Sequence, residues 1–365
     1  WFAIQSGTHK INPHRLCRPS TGFQTAQRFW CIEADPNGRD NVGIKTGEPS
    51  IVLIIGGFLA VTMKTGAIDA GAGAVVLKSL FEEQIRRYSA LCSEDEYCAS
   101  RTGDLVASIQ TTLDNMPDRW LIFPVDRDAV LFATFMGLYS TNGAATTFDI
   151  WLAAAEGDYS GMAFVTAAMG FMMPKDFAWG ENASKALSSD YDSDPTADYV
   201  AEVTPGPYLL GSPASSLGWA AAGGWPANKI PDEYRTVRQS TVETLMLSGT
   251  LDVSTPAQNA RDQLLPYLEN GEQVVLAEFA HTGDLYYLQP DATRHLLTTF
   301  FATGEVDASL FTPNELNFEP AWGFPLIAKL FVGGALLALM VVALLVVLFY
   351  RLVRRFKRKR LIAAV

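Results

Sequence analysis

Cysteine and histidine are scarce, with four of each in 365 residues. Cys17, Cys31, Cys92 and Cys98 include no pair with zinc-finger spacing, and the histidines form no ligand set, so the sequence implies no metal and no cofactor. Cations are also short: 28 Lys and Arg stand against 39 Asp and Glu, a formal net charge of −11. Seven of those cations lie between Arg351 and Arg360, and without them the balance falls to −18. So acidic a body excludes the cationic surface that a nucleic-acid partner requires. The chain opens at Trp1 with neither an initiator Met nor a signal peptide, and is therefore expected to be a fragment or to have lost its N-terminal part.

The remainder has globular proportions, 48% hydrophobic and 18% charged, enough for one large domain or two ordinary ones. Residues 330–350, LFVGGALLALMVVALLVVLFY, carry no charge and are followed at once by RLVRRFKRKR. An apolar run of that length matches the roughly 30 Å hydrocarbon core, and a basic flank marks the cytoplasmic side. The expectation is a transmembrane helix over 326–350, a cytoplasmic basic tail over 351–365, and a body outside the cytoplasm. A second apolar run at 51–63 stops at Lys64, and its length suits a buried strand or half a membrane helix.

Residues 81–115 read as helical, with Phe81, Ile85, Tyr88 and Leu91/Cys92 at a spacing near 3.6. DRDAVLFATFMGLYS and TTFDIWLAAAEGDYSGMAFVTAAMGFMM are further helical stretches. Cys92 and Cys98 bracket the polar SEDEY, and either close a small disulfide loop outside the cytoplasm or remain two thiols near a helix turn. The polar stretch after Met173, with an Asn-Ala-Ser sequon at Asn182, reads as an exposed loop, and Pro and Gly cluster from Thr204 to Pro231 as an irregular return segment. Trp151, Trp179, Trp219 and Trp225 either line a pocket or belong to the core.

From Val242 the pattern changes. VETLMLSGTLD is a short apolar run, helix-like STPAQNARDQLLPYL follows with Pro256 in its first turn, EQVVLAEFA is a second run, and DATRHLLTTFFATGEV is a final helix. Strand, helix, strand, helix describes one end of an α/β sheet. Asp252 and His281 each follow directly after an expected strand, where such sheets build their sites. A carboxylate there can accept the imidazole Nδ1–H and fix the tautomer that lets His281 act as a general base. The competing reading is a turn-capping Asp and a solvated His; His295 is expected at the surface of its helix.

The block SGTLDVSTPAQNARDQLLPYLENGEQVVLAEFAHTGD resembles the C-terminal part of the tripeptidyl-aminopeptidase-like α/β-hydrolases, relatives of the proline-iminopeptidase group. FEEQIRRYSALCSEDEYCAS resembles that family's cap entry with its paired cysteines, and IWLAAAEGDYSGMAF a later cap helix, so the likeness covers residues 81–320. It implies a helical cap over 81–235, the C-terminal part of an α/β-hydrolase core over 236–320, and Asp252 and His281 as acid and base of a Ser-His-Asp triad. The family's nucleophile sits on a G-x-S-x-G elbow before the cap, and no such string occurs in this chain. Ser6 and Ser212 with Ser215 lack the strand or the chain order required, and Ser248 belongs to the acid turn. The IIGG run at 54–57 lacks the His of an oxyanion loop.

Residues 45–78 resemble instead a GGFxxVxxKTGAIDAG segment of bacterial dicarboxylate and amino-acid anion carriers, which marks 1–80 as a fusion or assembly error. A transporter would need many more spans than the one at the C-terminal end. The resulting expectation is an incomplete α/β-hydrolase of serine peptidase or aminopeptidase type, membrane-anchored and extracytoplasmic, acting on a peptide or small ester by acyl transfer but lacking its nucleophile. The alternative is a non-catalytic, membrane-anchored binding module. Loss of central strands would leave apolar sheet edges and a poorly folding product unless residues 1–80 fill the gap.

Overall fold

The structure, a computed structural model, describes residues 52–55, 70–176, 209–211 and 239–362. Among these, three strands form a parallel sheet in the order β1 (Val52–Ile55), β4 (Thr244–Gly249), β5 (Gly271–Leu276). The register runs Val52↔Thr244 to Ile55↔Leu247 on one side of β4 and Thr244↔Gly271 to Gly249↔Leu276 on the other. The middle strand is buried along its whole length, as a parallel strand covered on both faces should be. Its side chains alternate: Leu245 and Leu247 pack with Leu276, Phe279, Leu285, Leu296 and Phe300, while Met246 packs with Ala260 and Leu264 on the opposite face.

β1 comes from the N-terminal segment expected to be foreign to a hydrolase. Its apolar VLII run supplies the third parallel strand and covers one edge of β4. The physical reason is generic: a short, β-branched apolar run meets the requirements of a buried parallel strand wherever in the chain it originates.

The larger part is helical. α1 (Ala70–Glu94), α2 (Glu96–Arg101), α3 (Leu105–Asp114), α4 (Arg127–Gly137), α5 (Thr141–Ala155) and α6 (Ser160–Asp176) precede the sheet's second strand, with a small hairpin of β2 (Arg119–Trp120) and β3 (Phe123–Pro124) among them. Four starts are set by local chemistry: Asp95, Asp104, Asp126 and Ser140 each accept a backbone N–H from the first turn of α2, α3, α4 and α5. The expected apolar stripe is the buried one, with Phe81, Ile85, Tyr88 and Cys92 all in the main core. Cys92 and Cys98 are joined by a disulfide, with Cα atoms 5.2 Å apart, that pins the end of α1 to α2. Arg101 then ties α2 to α5 through Asp149 at 2.6 Å and a two-pronged contact with Glu156 at 2.9 and 3.2 Å. Trp151 is fully buried and donates its indole N–H to Thr134 Oγ1 at 3.0 Å, so it belongs to the core rather than a pocket wall. Trp179, Trp219, Trp225, Asn182, Cys17 and Cys31 lie outside the described residues.

Between β4 and β5 the chain forms a composite helical turn: α7 (Ala257–Asn259), then a π segment (Ala260–Leu264), then a 3₁₀ turn (Leu265–Tyr267). The uniform helix expected there is broken because Pro266 has no N–H to donate. Pro256 precedes the first turn as its cap residue. α8 (Thr282–Tyr287) and α9 (Pro290–Thr303) close the sheet's other face.

α10 (Phe324–Ile362) is a 39-residue helix whose stretch Phe324–Arg355, with a mean hydropathy of 3.0 over its most apolar 18 residues, is the one among the described residues long and apolar enough to cross a membrane. It continues through the basic tail, further than the apolar run alone suggested. Its root is held by the body: Phe324 meets Phe164 with ring centroids 5.2 Å apart, Ser160 Oγ donates to Pro325 O at 3.2 Å, and Lys329 pairs with Asp158. From Leu330 to Leu352 the helix stands clear of the body, its side chains exposed apart from a half-buried Val332.

Candidate active site

β4 ends at Gly249, and the turn after it is shaped by the loop that follows β5. Thr250 N donates to Leu276 O at 3.0 Å, Leu251 N to Phe279 O at 2.9 Å, and Glu278 N to Thr250 Oγ1 at 2.9 Å. The two loops are thereby laced together, one carrying Asp252 and the other His281. At Gly249 an added Cβ would stand 2.1 Å from Phe279 O and 2.5 Å from Ala280 O, so only glycine admits this approach. Glu278 takes a left-handed φ of 56°, a costly conformation for a residue with a side chain, held by the Thr250 contact and by Asn314 Nδ2 donating to its carbonyl at 3.1 Å.

The carboxylate of Asp252 has no exposure at all. It accepts hydrogen bonds from Ser254 N at 2.9 Å, Thr255 N at 2.8 Å and Thr255 Oγ1 at 2.8 Å, and its two oxygens stand 3.1 and 3.0 Å from His281 Nδ1. A buried carboxylate is costly unless paired and bonded in this way. Burial pushes the Asp252 carboxyl up, but His281 and the Thr255 amide and hydroxyl outweigh it and hold the group below the usual carboxylate range. Asp252 thus organises its own turn and faces the histidine.

His281 is mostly buried, with 12% of its side chain exposed. An Nδ1 set against a carboxylate donates to it, so in the neutral imidazole the lone pair falls on Nε2. Among the described residues no hydrogen bond engages Nε2. Ser248, in β4, is buried and accepts from Gln273 Nε2 at 3.0 Å, away from the pair, while Ser6, Ser212 and Ser215 lie outside the described residues. His295 is partly exposed and pairs with Asp307 at 2.8 Å, close to its expected surface position.

Several neighbours were not singled out from the sequence. Thr255 was findable, because an Asp that accepts N–H groups two and three residues on is a common turn, and the D-V-S-T string has that spacing. Tyr139 and Asp284 carried no such signal. Asp284 is buried and accepts from Ala280 N at 3.1 Å and from Thr141 N at 2.9 Å, 143 positions away in sequence. Tyr139 lies edge-on to the imidazole. On α1, Gln84 Oε1 and Tyr88 Oη are buried with no hydrogen-bond partner among the described residues. Burial, followed by the charges of Asp284 and Asp252, drives the Tyr88 phenol far above its ordinary value. A polar groove of about 410 Å³ opens between the start of α5 and the strap 314–322, but neither Asp252 nor His281 lines it.

Residues 212–312, just over a quarter of the chain, match the family described as TAP-like protein, an α/β-hydrolase family. The matched stretch contains both Asp252 and His281. No curated protein matches the chain.

Proposed function

We propose that this chain is the acid-and-base part of a serine hydrolase of peptidase or aminopeptidase type, anchored to a membrane by α10. The observation that carries the reading is the buried Asp252 carboxylate 3.0 Å from His281 Nδ1, on neighbouring loops after two parallel strands. The α/β-hydrolase match over 212–312 supports the reaction class, and the peptidase type rests on the resemblance of residues 81–320. Residues 81–235 act as the cap and 236–320 as the end of the core. The reaction is acyl transfer on a peptide or small ester. A serine hydroxyl attacks the carbonyl carbon, His281 Nε2 takes the hydroxyl proton and later delivers it to the leaving group, and Asp252 stabilises the imidazolium between those steps. The body lies outside the cytoplasm and the Arg- and Lys-rich end of α10 inside it, as the one-sided cation cluster favours.

A second reading, a membrane-anchored binding module without catalysis, is favoured by one feature: no serine among the described residues is hydrogen-bonded to His281 Nε2. The carrier-like stretch at 45–78 is consistent with a fused segment that supplies β1 to the sheet without supplying a nucleophile.

Labelling of the purified, detergent-solubilised chain with a fluorophosphonate probe, followed by peptide mapping, separates the two. The hydrolase reading expects one serine to be labelled and the label to vanish in His281→Ala. No labelling, beside a related hydrolase that labels readily, overturns it and leaves the binding module.

A further inference from the structure

Tyr139, in the connector between α4 and α5, is held against the two loops that carry Asp252 and His281 in three ways. Its carbonyl accepts the His281 backbone N–H at 3.2 Å. Its ring stands edge-on to the imidazole, with centroids 4.8 Å apart and planes at 73°. Its hydroxyl accepts a hydrogen bond from Ser254 Oγ at 3.1 Å, two residues beyond Asp252. Two residues further along, at the start of α5, Thr141 N donates to Asp284, whose carboxylate also takes the Ala280 N–H beside His281. A segment of the helical layer is thus bonded to both loops of the site.

We propose that Tyr139 is a positioning residue, a clamp that keeps the His281 ring turned so that Nδ1 stays on Asp252 and Nε2 is presented to an incoming hydroxyl. The need for a clamp is visible in the geometry. Thr255 Oγ1 lies 3.3 Å from the same Nδ1 and 2.8 Å from Asp252 Oδ2, so the ring nitrogen has a second polar neighbour toward which it can swing. The Tyr139 ring braces the imidazole by its edge contact, and the bond from Ser254 ties that brace to the turn carrying the carboxylate. The use of the presented Nε2 rests on the hydrolase reading; the clamp itself does not.

The test is NMR of the full-length chain in detergent micelles with ¹⁵N-labelled histidine, the His281 signals being assigned by their loss in His281→Gln. The readouts are the tautomer and the solvent exchange of the Nδ1–H. Wild type is expected to show a single Nδ1–H tautomer with a slowly exchanging proton. Tyr139→Ala is expected to exchange about tenfold faster and to populate both tautomers, whereas Tyr139→Phe, which keeps ring and carbonyl, retains the tautomer with about threefold faster exchange. Ser254→Ala should match Tyr139→Phe. A folded Tyr139→Ala with wild-type tautomer and exchange overturns the proposal. Should that variant fail to fold, Tyr139→Phe and Ser254→Ala decide: faster exchange in both supports the clamp, and wild-type exchange in either overturns it. Failure of fluorophosphonate labelling would leave these signals unchanged, so loss of the hydrolase reading and loss of the clamp are distinguishable.

Discussion

Gly249→Ala tests the close approach on which the site depends. The new methyl carbon would meet Phe279 O at 2.1 Å and Ala280 O at 2.5 Å, where real contacts essentially never fall below 3.0 Å. Relief therefore requires a shift of roughly 1 Å between the end of β4 and the loop after β5. Both obstacles are backbone atoms, so no side chain can turn aside. Such a shift breaks the Leu251 N–Phe279 O bond and takes His281 Nδ1, now 3.0 Å from Asp252, out of hydrogen-bond range. The lost backbone bond is worth about 1 kcal/mol and the charge-assisted contact about 1.5–3 kcal/mol. With residual overpacking strain the expected cost is roughly 3–5 kcal/mol. For a body of this size the melting temperature should fall by about 10 °C. The assay is thermal unfolding of the full-length chain in detergent, followed by intrinsic fluorescence. The control is Gly283→Ala, two residues after His281 and inside α8, where an added Cβ meets nothing within 4 Å. It should be neutral or stabilising by about 0.5–1 kcal/mol. A Gly249→Ala chain that melts with the wild type would refute the close packing of the two loops.

Acid should weaken the fold through Asp252. Its carboxyl is held below the usual range in the folded chain, so between the folded and unfolded values the unfolded state binds more protons and stability rises with pH. The contribution is full above the unfolded value of about 3.9 and is lost as pH falls through the lower folded value. In melts taken from neutral pH downward, the advantage of wild type over Asp252→Asn should hold until about pH 4 and shrink below it; a gap independent of pH would contradict this. Tyr88→Phe removes a buried hydroxyl that has no partner among the described residues, and should leave stability unchanged or raise it by about 1 kcal/mol, as read from the melting temperature. A clear loss of stability would mean that the hydroxyl has a partner after all.

Much of the architecture is legible in residue pattern because it depends on local physics. The 3.6 spacing of Phe81, Ile85 and Tyr88 selects a buried helix face, and the alternation around Leu245, Met246 and Leu247 suits a strand with packing on both sides. Polar residues capable of capping stand just before α2, α3, α4 and α5. The uncharged run before Arg351 requires a long apolar helix whatever else the chain does. Asp252 and His281 could be proposed as partners because each follows a strand pattern and the 29 positions between them have room for one helical segment and one strand.

Other features depend on which segments meet in space, and no local pattern encodes that. VLII at 52–55 satisfies a strand's requirements anywhere, and only the parallel register against Thr244–Leu247 makes it a neighbour of the acid-bearing strand. Pro266 forbids one backbone hydrogen bond, but that alone does not tell whether the chain passes on through π and 3₁₀ turns, as it does, or ends its helix. Tyr139 reads as one more aromatic after a helix, and Asp284 as one more acid at the start of another. Their positions against His281, Ser254 and Thr141 follow from folding the helical layer onto the sheet, across 115 to 143 positions of sequence. The sequence by itself determined which residues can transfer a proton and which stretch prefers lipid to water, because these are properties of side chains and of short periodic runs. Tertiary structure alone decided that Asp252 is dry, that His281 Nδ1 is turned toward it, and that a tyrosine from the helical layer lies against the ring, because burial and orientation exist only once distant segments share a surface.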